Sequence, residues 1–189
     1  MNPRLPYFVA LAGVFALGLV PCAGAVEYTS VNTTASTISF TYHQMGSKNY
    51  GTFNKFEAKL DFDTQNPEAA LAAMTIDLKS IDAGDSDANV ELQKTAWFDT
   101  ENFPVATFES TAVKDLGDSR YVFTGNLSLR GLTREVSVPV LLKAENAVGI
   151  FDGELTLNRN DFKVGEGEWA DSMVSNEINI RFRMVAPQR

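Results

Sequence analysis

The sequence predicts an all-β fold of eight antiparallel strands, and three observations support this prediction. Apolar and polar residues alternate with a period of two along most of the chain, as at Phe56, Ala58, Leu60 and Phe62. Such alternation is typical of strands with one buried and one exposed face. Turn-forming residues separate the alternating runs, and several connections are short, which favours antiparallel neighbours.

Eight runs show this alternation. Their apolar faces carry, in chain order, Ile38, Phe40 and Tyr42; Phe56, Ala58, Leu60 and Phe62; Met74, Ile76 and Leu78; Ala106, Phe108 and Ser110; Tyr121, Phe123, Gly125, Leu127 and Leu129; Val136, Val138, Val140 and Leu142; Phe151, Gly153, Leu155 and Leu157; and Ile178, Ile180, Phe182 and Met184. Gly125 and Gly153 lie on apolar faces in mid-strand, where glycine permits sharp coiling or leaves room for another group.

The segments between the runs carry turn signals. These are Asn66-Pro67, Asp82-Ala83-Gly84-Asp85, Gly117-Asp118, Arg130-Gly131 and Glu145-Asn146. One short helix is predicted, from Asp87 to Lys94. Because no repeat of fixed period is present, one domain is the simplest organisation.

Eight antiparallel strands form either a sandwich or a closed barrel. Closure removes exposed edges, and an eight-stranded barrel is wide enough to be filled by side chains or to hold one small ligand. Periodicity alone does not say which face points inward, and an outer-membrane barrel has its apolar face outside. The helical segment between the third and fourth runs argues against that alternative.

Residues 1–25 are expected to be a secretory signal peptide, and residues 26–189 the mature domain. Arg4 precedes an apolar run from Tyr7 to Val20, and Ala23-Gly24-Ala25 offers small residues around a cleavage point. Removing the first 25 of 189 residues leaves 164, enough for one domain with a core of its own.

The mature chain is expected to be acidic and free of cysteine. Loss of Arg4 changes the formal net charge from −8 to −9, which disfavours nucleic acid and anionic headgroups as partners. Cys22 lies within the expected signal peptide, so neither a disulfide nor thiol chemistry is expected.

Five stretches spread over the mature chain resemble the YceI-like family of secreted bacterial proteins. They are ISFTYHQMG at 38–46, GTFNKFEAKLDFD at 51–63, WFDTENFPVATFES at 97–110, YVFTGNLSLRGLTREVSVPV at 121–140 and LNRNDFKVGEGEWAD at 157–171. The resemblance implies a lipocalin-like eight-stranded barrel with one helix near its mouth. It also implies a periplasmic protein that binds a polyisoprenoid chain, such as a polyprenyl alcohol, a polyprenyl phosphate or a quinone tail.

The helical segment departs from the family pattern. Many relatives carry a basic residue and a histidine there, whereas this chain reads Asp87-Ala88-Asn89-Val90-Glu91-Leu92-Gln93-Lys94. If the relatives use that helix to bind the ligand headgroup, a different headgroup is expected here. Trp97 and the GEGEW stretch resemble a branch that sometimes accompanies membrane b-type cytochromes. That resemblance favours a quinone and implies a membrane b-type cytochrome as partner.

The aromatic residues carry the functional hypothesis. Any one of them could simply fill the core, but together they suggest the walls of an apolar cavity. The predicted ligand-binding residues are Phe40, Phe53, Phe56, Ile76, Trp97, Phe98, Phe108, Phe123 and Leu127; the predicted rim or lid residues are His43, Met45 and Trp169. Phe53 is out of phase with Phe56, which predicts a β-bulge at 53–55.

No catalytic residue, cofactor or metal ligand is predicted. His43 is the one histidine, and no partner for acid–base chemistry is identifiable. Asp85-Ser86-Asp87-Ala88-Asn89 begins like a calcium loop but has Val90 at the position of the turn glycine, so an acidic helix start is favoured. Gly165-x-Gly167-x-x-Ala170 lacks the βαβ context of a dinucleotide site.

The sequence therefore predicts a periplasmic carrier that sequesters an isoprenoid lipid or quinone inside a barrel. Two alternatives stay open: an enzyme that uses the barrel as a pocket for an apolar substrate, and a stress-related protein with a filled barrel. The oligomeric state and the headgroup are not specified by the sequence.

Overall fold

The computed structural model describes residues 25–167 and 173–189, and its fold is all-β with one short helix. The strands are β1 (Glu27–Tyr28), β2 (Thr37–Gln44), β3 (Ser47–Phe53), β4 (Phe56–Asp63), β5 (Leu71–Asp77), β6 (Ile81–Asp82), β7 (Val105–Asp115), β8 (Arg120–Leu129), β9 (Leu132–Glu145), β10 (Val148–Asn158) and β11 (Glu177–Pro187). The α-helix α1 spans Ser86–Leu92, and short 3₁₀ helices span Pro67–Ala69, Leu78–Ser80 and Arg159–Phe162.

All paired strands are antiparallel, and they form one curled sheet. The strand order is β1-β4-β5-β7-β8-β9-β10-β11-β2-β3-β6. Two residues separate β3 from β4, and a 3₁₀ turn separates β5 from β6. The Asn54 amide donates to the Ser80 carbonyl (3.1 Å), and the Asp77 amide donates to the Lys55 carbonyl (3.0 Å). The chain passes directly from β3 into β4 and, through the 3₁₀ turn, from β5 into β6. Because β3 pairs with β6 while β4 pairs with β5, these links bring the two ends of the strand order together, and the sheet curls into a barrel-like shape.

The number of strands differs from the prediction. Each of the eight predicted runs has its own strand, except that Leu78, the last residue of the third run, lies in the 3₁₀ helix Leu78–Ser80. The described residues form eleven strands in all. The three additional strands are β1, β3 and β6. Two of them are only two residues long, and β3 (Ser47–Phe53) lacks a regular apolar face, so none carries a periodic signal.

Two local features also differ from the prediction. The helix begins at Ser86 and ends at Leu92, one and two residues before the predicted limits of Asp87 and Lys94. The phase change at Phe53 comes from a break between β3 and β4 and not from a bulge. The register shift lies between β7 and β8, at Ser110 and Ala112.

The alternating apolar faces point to the inside of the curled sheet. Phe123, Val138 and Phe151 are buried on three different strands and belong to the same core cluster. Gly125 and Gly153 leave room for aromatic rings, because a Cβ atom at either position would overlap Phe108 or Phe182 respectively. Among the described residues, no helix has the length and apolar character that crossing a membrane requires.

Candidate functional site

An apolar tunnel with two adjoining lobes lies inside the sheet. The inner lobe has a volume of about 140 Å³, and the outer lobe, beside α1, has a volume of about 230 Å³. Four side chains line both lobes and mark where they meet: Ile76, Leu127, Leu157 and Ile180. They come from four different strands, so the period-two alternation brings residues far apart in the chain to one level of the tunnel.

The inner lobe is walled by the inward faces of eight strands. Apart from Lys59, every described residue that lines it is apolar. Small side chains at Ala58 and Ala72, which lie on neighbouring strands, widen the lobe on one side. Such a wall offers a ligand no hydrogen bond and therefore favours an apolar occupant.

An aromatic layer closes the inner lobe at the end away from α1. We call it the aromatic floor; it consists of Tyr28, Phe62, Tyr121 and Phe151. Phe62 is 0% exposed, and its ring centroid lies 5.3 Å from that of Phe151 and 5.0 Å from that of Tyr121, with the rings edge to face. This geometry is favourable for aromatic pairs, so the floor is a dense and well-ordered part of the core.

The outer lobe is bordered by α1 and by the loops at the opposite end of the sheet. Its apolar lining includes Phe40, Phe53, Leu92, Trp97 and Phe98. Among the described residues, its polar lining consists of Tyr42, Gln44, Glu91 and Arg159. The tunnel therefore becomes more polar toward α1, which suits a ligand with an apolar tail and a polar head.

Helix α1 is held beside the outer lobe by its N-terminal cap. The Asp85 carboxylate accepts hydrogen bonds from the amides of Asp87 and Ala88, both at 3.0 Å. The Ala83 amide donates to Oδ1 of Asn89 at 2.7 Å, which fastens the helix to the end of β6. These contacts agree with the predicted acidic helix start, with Asp85 as the residue that caps the helix.

Arg159 is a buried cation in the wall of the outer lobe and is not among the site residues predicted from the sequence. It is 5% exposed and donates to the carbonyl oxygens of Val164 (2.9 Å), Gly165 (2.7 Å) and Val174 (3.1 Å). Its guanidinium carbon also lies 5.8 Å from the ring centroid of Trp97. Arg159 therefore ties together segments before and after residues 168–172. The one sequence signal for this role was the position of an arginine directly after a strand, at the end of β10.

Eight of the nine predicted ligand-binding residues line the tunnel. Phe40, Phe53, Trp97 and Phe98 line the outer lobe, Phe108 and Phe123 line the inner lobe, and Ile76 and Leu127 line both. Phe56 packs against the core cluster but does not line either lobe. Its neighbour Ala58 lines the inner lobe instead, because β4 begins at Phe56 and its first residue lies at the strand end.

The predicted rim residues lie at the tip of the β2–β3 hairpin. Met45 is 77% exposed, and its amide donates to the Met173 carbonyl at 2.9 Å. The His43 carbonyl accepts from the Ser175 amide at 2.8 Å, while the His43 side chain is exposed and does not line the tunnel. Trp169, the predicted lid residue, lies outside the described residues.

Burial raises the pKa of three tyrosine side chains near the tunnel. Desolvation raises the pKa of the Tyr28 and Tyr121 phenols in the aromatic floor. Desolvation, with a smaller contribution from Asp85, also raises the pKa of Tyr42, whose hydroxyl donates to the Ala83 carbonyl at 3.3 Å. Within residues 25–167 and 173–189, no group of three or more His, Cys, Asp or Glu side chains is placed to hold a metal ion.

Sequence comparison identifies a family and several relatives. The family model described as the YceI-like domain matches residues 29–186. A UPF0312 protein of Photorhabdus laumondii is 41% identical over 96 residues, which are 51% of this chain and 47% of that protein. A UPF0312 protein of Pseudomonas aeruginosa is 35% identical over 122 residues, covering 61% of this chain and 63% of that protein. The chain thus spans about half to two thirds of the length of these relatives.

Solved structures share the fold. BcnA of Burkholderia cenocepacia is 39% identical with a TM-score of 0.80, and the match covers 83% of this chain and 99% of that one. A YceI protein of Campylobacter jejuni is 20% identical with a TM-score of 0.69, over 78% of this chain and 89% of that one. A polyisoprenoid-binding domain of Saccharophagus degradans is 17% identical with a TM-score of 0.65, over 86% of this chain and 99% of that one.

Proposed function

Because this chain belongs to the YceI-like domain family, we propose that it is a lipid-binding protein that holds one long apolar tail inside the tunnel. The observation that carries this proposal is the inner lobe, whose described lining is apolar apart from Lys59 and which is closed by the aromatic floor. A tail of this kind is held by removal of its surface from water, at about 0.8 kcal/mol per CH₂, less the cost of ordering it.

The ligand class that the proposal favours is an isoprenoid. The Saccharophagus domain with this fold is named as a polyisoprenoid-binding domain, which supports the same class of ligand here. Branched isoprenoid tails also match a lobe whose wall combines small residues such as Ala58 and Ala72 with aromatic residues such as Phe123. The proposed cellular location is the periplasm, which the expected signal peptide predicts.

The headgroup is proposed to stay in the outer lobe. Gln44 and Glu91 lie among the polar residues of that lobe, and Arg159 is engaged by backbone carbonyls. A neutral headgroup such as a quinone or an alcohol fits this arrangement better than a phosphate, because Arg159 already donates to backbone carbonyls, Lys94 is paired with Glu91, and the Asp85 carboxylate adds negative charge at the start of α1. With a quinone as ligand, a membrane b-type cytochrome is the proposed redox partner.

Binding without catalysis is the mode of action that the site supports. Sequestration needs depth, apolar walls and an opening, and the tunnel supplies the first two. Among the described residues, the ionisable ones that line the outer lobe are Tyr42, Glu91 and Arg159. The Tyr42 hydroxyl donates to the Ala83 carbonyl, Glu91 is paired with Lys94, and Arg159 positions the segments around it. A filled interior, the other alternative, is disfavoured by the two lobes.

Mass spectrometry of the bound lipid tests the proposal. The full-length protein is purified from the periplasm of its native host without detergent, extracted with organic solvent and analysed for polyprenyl and quinone species. We expect one lipid per protein molecule, and its headgroup identifies the ligand. A folded, monodisperse protein whose extract contains no lipid above that of a protein of different fold, purified in parallel, would overturn the proposal.

A further inference from the structure

The end of the tunnel opposite α1 is closed by more than one layer of side chains. Phe123 and Phe151 line the inner lobe directly. Phe62 lies behind both, with ring centroids 6.2 Å from Phe123 and 5.3 Å from Phe151. Tyr28 lies farther back, 5.3 Å from the Phe151 ring and 1% exposed. A tail that reaches Phe151 therefore meets close-packed rings with no room behind them.

The backbone also supports the aromatic floor. Strand β1 pairs with β4 through Tyr28 and Phe62, and Tyr28 forms a further bridge to Gln188. The Tyr28 ring lies so close to Gly149 that a Cβ atom there would be 2.5 Å from its Cε1 atom. The floor is thus fixed by strands from both ends of the described chain and does not yield to a longer ligand as a loop would.

The position of the floor gives the tunnel a defined depth. On β11, Ile178 lines the outer lobe and Met184 lines the inner lobe. These residues are about 20 Å apart along an extended strand, and a barrel tilt of about 40° reduces this to about 15 Å along the axis. Each added CH₂ gains free energy only while it enters this depth; any further one stays in water or folds back against the wall.

We propose that the aromatic floor, with Phe151 as its contact surface, is the specificity-determining element that sets the longest tail that the protein binds with full affinity. This inference rests on the proposed lipid-binding function and goes beyond it by assigning tail-length selection to named residues. Ala72 lies on the side wall of the same lobe, so its size sets how much of the lobe is open to a tail.

The test measures affinity against a homologous series of straight-chain primary alcohols, by displacement of an apolar fluorescent dye from delipidated full-length protein. For the wild type, we expect affinity to rise about fourfold per CH₂, which corresponds to about 0.8 kcal/mol, and then to reach a plateau. Phe151→Leu replaces the ring at the surface of the floor with a smaller side chain, which deepens the lobe. The affinity plateau should therefore move to longer alcohols. Ala72→Leu fills the lobe and should move it to shorter ones.

Ile150→Leu is the matched control, because it introduces the same side chain one residue from Phe151, at a position that does not line the tunnel. Its plateau should equal that of the wild type. Near-ultraviolet circular dichroism establishes that each variant is folded. Phe151→Leu and Ala72→Leu should shift the plateau in opposite directions, so the inference can be decided by whichever of the two variants folds. An unchanged plateau in a folded variant would overturn it, whereas a wild type with no length-dependent binding would overturn the proposed function itself.

Discussion

Gly153 and Phe182 face each other across β10 and β11, and the Phe182 ring occupies the space that a Cβ atom at position 153 would need. Gly125 on β8 faces Ser110 on β7, and the ring of Phe108, two residues before Ser110, occupies the space that a Cβ atom at position 125 would need. Both rings line the inner lobe. The two glycines therefore let these rings lie back against the sheet, which keeps the tunnel open.

Gly153→Ala is expected to destabilise the protein and narrow the inner lobe, because the added methyl group displaces the Phe182 ring. Overpacking of this kind costs about 1–3 kcal/mol. Urea denaturation of Gly153→Ala, Phe182→Leu and the double variant measures the coupling between the two positions. We expect the methyl group to cost much less in the Phe182→Leu background, where the ring is absent. Equal costs in both backgrounds would contradict the role assigned to Gly153.

Leu127→Asp is expected to abolish lipid retention while the sheet stays folded. Leu127 lines both lobes and is only partly buried, so its replacement places a carboxyl group where the lobes meet. Burial without a partner disfavours the charged form and repels an apolar tail. The measurement is the quantity of lipid extracted per mole of protein. Ser128→Asp, which places the same group at the next residue of β8, is the control and should retain lipid as the wild type does.

Arg159→Lys is expected to lower the free energy of unfolding by about 3 kcal/mol, because hydrogen bonds from a charged group to buried carbonyls are lost. A lysine has the charge but not the planar fork that reaches Val164, Gly165 and Val174 together. Arg134→Lys is the matched control, since Arg134 is exposed and donates to the Thr133 carbonyl of the neighbouring residue. Equal unfolding free energies for the two variants would contradict a positioning role for Arg159.

Asp152→Asn is expected to reduce stability at neutral pH but not in acid. Hydrogen bonds from Arg183 (2.7 Å) and Lys143 (3.1 Å), together with the charges of these residues, hold the pKa of Asp152 below its usual value despite partial desolvation. A lowered folded-state pKa means that the carboxylate stabilises the fold above the unfolded-state pKa of about 3.9 and loses this effect as the pH falls through the folded-state pKa.

The expected difference for Asp152→Asn at neutral pH is below about 1 kcal/mol, because the pair lies at the surface and is screened by solvent. Urea denaturation of both proteins between neutral pH and the acid limit of the folded state measures it. The two stability curves should converge toward the acid end. Curves that stay parallel over the whole range would show that Asp152 acts through packing and not through its charge.

Several features of the fold could be predicted because they depend on neighbouring residues. The alternation at Phe56, Ala58, Leu60 and Phe62 predicts a strand, and the structure has β4 there. Asp85 predicts a helix start because its carboxylate can reach amides two and three residues ahead. Turn residues such as Arg130 and Gly131 have positive φ angles of 49° and 71°, as a tight connection between β8 and β9 requires.

Other features could not be predicted because they depend on residues far apart in the chain. The two-residue strands β1 and β6 exist only through their partners on β4 and β3. Phe56 was placed in the cavity because it shares a face with Ala58, but its position at the strand end leaves it outside the lining. Arg159 carries a charge, so the sequence alone predicts that it is exposed. Only the carbonyl oxygens gathered around it in the folded structure make its burial favourable.

The sequence by itself therefore determined the all-β class, the eight alternating runs, the position of the short helix and the aromatic content of the interior. Each of these follows from local periodicity, capping or turn chemistry. Only the tertiary structure decided that the apolar faces point inward, that a tunnel remains between them, and that Tyr28 and Phe62 close it. These outcomes depend on how distant strands pair and on how their side chains fill or fail to fill the shared space, which no local pattern contains.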